Sequence, residues 1–193
     1  MESSHGRALL DDLRNSFPGR ERKTAALRGF RPAAVLVPVI AAAEGPEFLL
    51  TKRTEDVETH KGQISFPGGM RDRDDASPEA TALRETEEEL GIERSRVVVL
   101  GLLDDIATPT GFVITPVVGL LKTLPPLAPN PAEVAETFTV PWTVFLDPAN
   151  GRTEEREFLG ESRAIWFYDT GRHIVWGATA SIIHALLSRL KLL

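Results

Sequence analysis

Gly68-Gly69-Met70-Arg71-Asp72-Arg73-Asp74-Asp75, followed fifteen residues after Gly69 by Arg84-Glu85-Thr86-Glu87-Glu88-Glu89-Leu90-Gly91-Ile92, is the stretch that decides the reading of this chain. With a helical repeat of about 3.6 residues, Glu85, Glu88 and Glu89 project within roughly a 100° arc. Like charges so arranged repel, and i,i+4 like pairs destabilise an isolated helix, so a cation is expected to offset them. A run of carboxylates is ordinarily a solvated helix face, but these flanks argue for more. Pro67-Gly68-Gly69 makes a tight, backbone-exposing turn. Ser77 and Pro78 read as N-cap and first helical residue, and Gly91 as the stop. Leu83 and Leu90 fall opposite the carboxylates, so the helix is anchored by its back and presents acid at its front.

Working outward, Asp72 to Asp75 is not a calcium loop, because Ala76 and Leu83 stand where oxygen ligands are needed. Upstream lie Leu49-Leu50-Thr51-Lys52-Arg53-Thr54 and His60-Lys61-Gly62-Gln63-Ile64-Ser65-Phe66-Pro67-Gly68-Gly69. Strands are expected near 33–43 and 47–53, a loop-rich segment over 54–77, and the acidic helix over 78–90. Residues 96–107 and 113–122 read as a strand pair joined through Pro109-Thr110-Gly111. Further strands are expected at 136–140, 152–159 and 163–169, and a helix at 177–191. The proline-rich Leu124 to Pro131 is a loop. Residues 1–32 comprise a helix near 5–16 and a basic connector carrying Arg20, Arg22, Lys23, Arg28 and Arg31.

At 193 residues with 42% apolar composition, one domain spanning 1–193 with a full core is expected. The absence of cysteine excludes disulfides, thiolate metal sites and Cys nucleophiles. A net charge of −6 gives no general attraction to nucleic acid or anionic membrane. No segment reaches the ~18 consecutive apolar residues of a membrane span. The N-terminus lacks a signal-peptide pattern and the C-terminus a peroxisomal tripeptide, so a cytoplasmic location is expected.

These residues resemble the Nudix box: Gly, five residues, Glu, seven residues, Arg-Glu-apolar-x-Glu-Glu-x-Gly-apolar. Arg84, Glu85, Glu88, Glu89, Gly91 and Ile92 match in register, so the box spans 69–92. The gap from Gly69 to Arg84 is one residue longer than the pattern, Asp75 stands at the offset of the early Glu, and Thr86 replaces an aliphatic residue. The longer gap occurs in the coenzyme A pyrophosphatase branch, which the upstream segment also resembles through Leu49 to Arg53, Gly62 and Phe66 to Gly69. Glu58 takes a slot where that signature prefers Arg, removing one cationic contact. Thr115 to Gly119, Glu133-Val134 and Trp176 to Ala180 extend the likeness over about residues 33–187.

The resemblance implies an α/β fold, an α/β/α sandwich with a mixed sheet. It also implies an enzyme cleaving the diphosphate of coenzyme A or its derivatives to 3′,5′-ADP and 4′-phosphopantetheine. Mg²⁺ or Mn²⁺, hard ions that prefer oxygen ligands, would be held by Glu85, Glu88 and Glu89. Such an ion lowers the pKa of a bound water and neutralises charge on phosphoryl oxygens. Either Glu88 or Glu89 would take the water's proton. Arg84 is expected to orient one carboxylate through a bidentate pair. Arg53, Lys61, Gly68, Gly69 and Arg71 are the candidate substrate contacts, with a structural salt bridge as the competing role for Arg53. Glu133 and Glu136 are candidate ligands or bases from outside the box. Glu87 is expected to be solvated. His60, His173 and His184 lack a partner at ligand spacing and read as structural. Trp142, Trp166 and Trp176 are assigned to the core, with adenine stacking as the alternative. A homodimer is a further expectation. Two other readings compete: cleavage of ADP-ribose, dinucleotides or nucleoside triphosphates, and a non-catalytic nucleotide sensor, against which the three retained carboxylates argue.

Overall fold

The computed structural model describes residues 4–19, 21–54 and 62–193. Helix α1 (Ser4–Asn15) buries Leu9, Leu10 and Leu13 while Asp11, Asp12 and Arg14 face water. Strands β1 (Arg31–Ala41), β2 (Pro46–Arg53), β3 (Ile64–Ser65) and β4 (Gly68–Met70) lead into helix α2 (Pro78–Leu90). Then come β5 (Val98–Leu102), β6 (Ile106–Ala107), β7 (Phe112–Leu121) and β8 (Val134–Pro141). The chain ends through α3 (Trp142–Leu146), β9 (Gly151–Phe158), β10 (Glu161–Asp169), β11 (Ile174–Trp176) and α4 (Gly177–Arg189).

Among the described residues, eight strands form one mixed sheet and β9 to β11 a separate antiparallel sheet of three. The spine is β1 against β7, parallel from Arg31↔Phe112 to Ile40↔Leu121. Along β1 the side chains alternate between two cores. Ala34, Leu36 and Ile40 pack with Leu49, Val117, Ala82 and Leu90 under α2. Val37 and Val39 pack with Phe48, Leu50, Val118 and Leu120 under residues of α1, α3 and α4. Both faces are covered, which is why β1 reads as a continuous apolar run rather than an alternating one. The result is an α/β/α sandwich with a mixed sheet.

The other edge of β1 is shared. Its end pairs with β2 (Val39↔Phe48) and its start with β4 (Ala34↔Gly69), while the Leu36 amide donates to the Pro67 carbonyl between them. Pro38, which has no N–H to give, stands at this division and interrupts no ladder. The division inserts the glycine turn into the sheet beside α2, and that is what positions the site.

Three features depart from the sequence expectation. The single strand expected over 96–107 is broken into β5 and β6, and a register shift between Val99 and Gly101 marks β5 as irregular. The segment 54–77 holds β3 and β4, and α3 and β11 were not expected. Trp142 is buried as expected, whereas Trp176, assigned to the core, is 40% exposed.

Candidate active site

Helix α2 begins and ends where its sequence dictates. The Ser77 hydroxyl accepts from the Ala80 amide, Pro78 takes the first helical position, and Gly91 closes the helix at φ +69°. The buried residues of this helix are Thr81, Ala82, Thr86, Glu89 and Leu90. Thr86 fills an aliphatic slot because its hydroxyl donates to the Ala82 carbonyl at 2.7 Å and so needs no other partner.

This buried face grades the three carboxylates. Side-chain exposure is 57% for Glu88, 16% for Glu85 and 4% for Glu89, so one arc runs from solvent into the protein. Glu89 accepts from the Gly68 amide at 3.2 Å and lies 3.5 Å from Arg53 Nη1. Burial nevertheless pushes its carboxyl up to about 8, against the pull of Arg53 and the Gly68 N–H. Glu85 is raised too, chiefly by burial, with Arg84 opposing.

The two glycines are required by space. A Cβ on Gly69 would lie 2.5 Å from the Glu85 carboxyl carbon, so this carboxylate rests directly on bare backbone. A Cβ on Gly68, at φ +154°, would lie 2.4 Å from the Ala34 carbonyl oxygen. A side chain at Gly69 would push the Glu85 carboxylate from its place, and one at Gly68 would push the turn off β1.

Arg84 joins the turn to the helix. Its Nε and Nη2 donate to the two oxygens of Asp75 at 3.2 and 2.9 Å, and Nη2 also reaches the Met70 carbonyl at 3.1 Å. Nη1 lies between Glu85 (2.8 Å) and Glu88 (3.0 Å). The fork therefore holds Asp75 bidentately, not a carboxylate of the cluster, and touches two cluster members with its remaining nitrogen. Arg84 holds the Asp75 carboxyl well below the usual carboxylate range, and Asp75 in turn raises the guanidinium. Asp75 had no expected role, and its place at the offset of a missing Glu is the signal in the sequence for this one.

Arg53 faces Glu89, as the salt-bridge alternative expects. Arg71 donates through Nε and Nη2 to the Asp75 carbonyl and through Nη2 to that of Ala76, bracing the loop into α2. Lys61, Glu58 and His60 lie outside the described residues. Glu133 contributes charge that raises both Glu85 and Glu89, whereas Glu136 pairs with Arg172 (2.8 Å) and His173 (3.3 Å). Glu133 lies just before β8 and Glu136 inside it, beside a register shift between Lys52 and Arg53. Glu136 stands opposite Lys52, and Val134 opposite Arg53 on the α2 side. Glu87 pairs with Arg94 in solvent. His184 stacks on Trp166 and meets the Tyr168 and Ser188 hydroxyls.

Among the described residues no three His, Asp or Glu side chains already form a metal shell. The donor set still fits a hard divalent ion. It is all carboxylate oxygen, two members are desolvated and carry raised pKa values, and Arg84 is the cation that sits between Glu85 and Glu88.

The NUDIX domain pattern matches residues 30–167. The uncharacterized Nudix hydrolase NudL of Photorhabdus laumondii is 42% identical over 161 residues, covering 83% of this chain and 86% of that one. The protein of the same name from Escherichia coli K12 is 37% identical over 181 residues, covering 92% of each. The crystal structure of RenU, a Nudix hydrolase from M. smegmatis, superposes with a TM-score of 0.52 at 25% identity, covering 62% of this chain and 75% of that one. A NUDIX hydrolase structure from Alicyclobacillus acidocaldarius gives 0.54 at 18% identity, covering 84% and 93%. Family pattern, relatives and fold agree, and the chain belongs to the Nudix hydrolase family of pyrophosphohydrolases, enzymes that generally use divalent metal ions on small diphosphate compounds.

Proposed function

We propose that this enzyme cleaves the diphosphate bond of coenzyme A or its derivatives, yielding 3′,5′-ADP and 4′-phosphopantetheine, with Mg²⁺ or Mn²⁺ held by Glu85, Glu88 and Glu89. The observation that carries the reading is the graded carboxylate arc resting on Gly69, beside the strand β2 signature that ends in Arg53. The bound ion supplies a water of lowered pKa and charge neutralisation at the phosphoryl oxygens. The chain's own residues supply the rest. Arg84 fixes Glu85 and Glu88 relative to the turn, and Arg53 with the Gly68 amide fixes Glu89. The Gly68-Gly69 turn lies against Glu85 and Glu89, and the diphosphate would lie along it beside the ions those carboxylates hold. Glu88 or Glu89 receives the proton of the attacking water.

The test is a panel of CoA, dephospho-CoA, ADP-ribose, diadenosine compounds and nucleoside triphosphates with Mg²⁺ or Mn²⁺, products resolved by chromatography. CoA should give 3′,5′-ADP, EDTA should abolish turnover, and thiol reagents should do nothing. ADP-ribose hydrolysed far faster than CoA would overturn the substrate assignment and favour the broader pyrophosphatase reading.

A further inference from the structure

Between the basic connector and the first turn of α2 lies a cavity of about 270 Å³. Arg22, Ala26, Phe30, Ala34, Arg71 and Thr81 are among the residues lining it. Charge here runs against the rest of the chain. Residues 21–31 carry Arg22, Lys23, Arg28 and Arg31 against Glu21 alone, in a protein of net charge −6.

The connector is fastened by Asp105, whose side chain is 5% exposed. Asp105 accepts from the Ala25 amide at 2.9 Å and the Thr115 hydroxyl at 2.7 Å, with Arg22 Nη1 3.5 Å away. Its two short bonds come from neutral donors, so Asp105 does not depend on Arg22 for its hydrogen bonds. Arg22 reaches Thr115 and Asp105 through Nη1 only, leaving Nε and Nη2 without a partner among the described residues. Arg71 likewise spends Nε and Nη2 on carbonyls and keeps Nη1. Two guanidinium groups with donors to spare thus line one cavity, at the positive end of a helix.

The cavity also adjoins the proposed reaction centre. Its Ala33 and Ala34 pair with Met70 and Gly69, and its Thr81 precedes Glu85 by four residues, about 6 Å along the helix axis. The cavity is thus close enough to the arc for one substrate to reach both. The apolar wall of Ala26, Leu27 and Phe30 suits the sugar and base that carry such a group.

We propose that this cavity is the subsite for a phosphomonoester on the nucleoside end of the substrate, the 3′-phosphate of coenzyme A, gripped by Arg22 and Arg71. The assignment rests on the coenzyme A reading. It gives the basic connector a function and supplies the positive charge that an acidic protein needs to hold a polyanion away from the metal.

The experiment compares 3′,5′-ADP with 5′-AMP by isothermal titration calorimetry on the full chain, on Arg22→Gln and on Ala26→Phe. Ala26 is exposed and lines the cavity, so the second variant fills the space while leaving Arg22 and Asp105 in place. The unaltered protein should bind 3′,5′-ADP about tenfold or more tightly than 5′-AMP, and both variants should bring that ratio close to one. In turnover, Arg22→Gln should lower the ratio of kcat/KM for CoA over dephospho-CoA about tenfold, through KM. Equal binding of the two nucleotides by the unaltered protein, or a ratio untouched in both variants, overturns the subsite. If CoA is not cleaved but the 3′,5′-ADP preference is present and lost in the variants, the substrate reading falls and the phosphomonoester subsite stands.

Discussion

Two parts of this molecule are dense in opposite charges, and they use them differently. On α2, Arg84 is 18% exposed and ties Asp75, Glu85 and Glu88 to the glycine turn. On β9, Arg152, Glu154 and Arg156 form an equally close chain, yet Arg152 and Arg156 are each 59% exposed and Glu154 39%. Around Arg84, Asp75 and Glu85 are shifted in opposite directions: the first is dominated by its hydrogen bonds to Arg84, the second by burial. Around Arg152, Glu154 moves downward because of its two arginines. The ion pairs look alike on paper. Solvent decides which of them hold geometry, since exposed pairs are screened and mobile while buried ones are neither.

Substitutions should separate the two regions. The largest effect is expected from Glu88→Gln, with a fall in kcat on the order of 10²–10⁴ and little change in folding, because the change is isosteric and relieves repulsion. Near-full activity in both Glu88→Gln and Glu89→Gln would remove the acidic arc from the mechanism. Next comes the pH dependence of stability without metal. Glu89 titrates near 4.5 unfolded but near 8 folded, so the native state binds the extra proton between these values. Stability should therefore fall as pH rises from about 5 to 8, by on the order of 4 kcal/mol. Glu89→Gln should flatten that slope, and Mg²⁺ should restore stability at the alkaline end. A flat profile in the unaltered protein would mean that Glu89 is solvated.

A smaller effect is expected from Asp75→Asn, which breaks the bidentate pair without touching the arc. The outcome should be a loss of kcat on the order of 10–100-fold at nearly constant KM, as for other residues that orient ligands from behind. At the other extreme, Glu154→Gln should leave both the thermal midpoint and kcat where they were. A clear loss in that variant would show that the β9 charges do more than face water.

Much of the site could be read directly because its signals are local. Ser77, Pro78 and Gly91 are capping residues adjacent to the helix they bound, and α2 came out at 78–90 on both readings. The continuous apolar run of β1 likewise needs only the neighbouring residues to read as a buried strand, although which side chain enters which core does not show in it. What was missed depends on distance along the chain or on breaks of period. Asp75 meets Arg84 across a loop, so nothing in either residue's surroundings announces the pair. Glu133 and Glu136 look equivalent in sequence, but Glu133 lies just before β8 with its charge felt at Glu85 and Glu89, whereas Glu136 lies within β8 and pairs with Arg172 and His173. The segment Trp142-Thr-Val-Phe-Leu146 has the composition of a strand and is a helix, because Trp142 and Phe145 are drawn onto Phe48 and local preference yields to that packing.

The parallel pairing of β1 with β7 bears on the order in which the protein can be made. The partners of Arg31 to Ile40 are Phe112 to Leu121, some eighty residues later. During synthesis at ~5–20 residues per second, β1 leaves the ribosome many seconds before the strand that closes its second edge. In that interval β1 has only β2 and β4 beside it, and Leu36, Val37 and Val39, all fully buried in the finished protein, lack their cover from β7. The acidic helix is complete before the sheet that supports it. Slow, topology-limited folding and an exposed apolar edge in the nascent chain follow from this one long-range pairing.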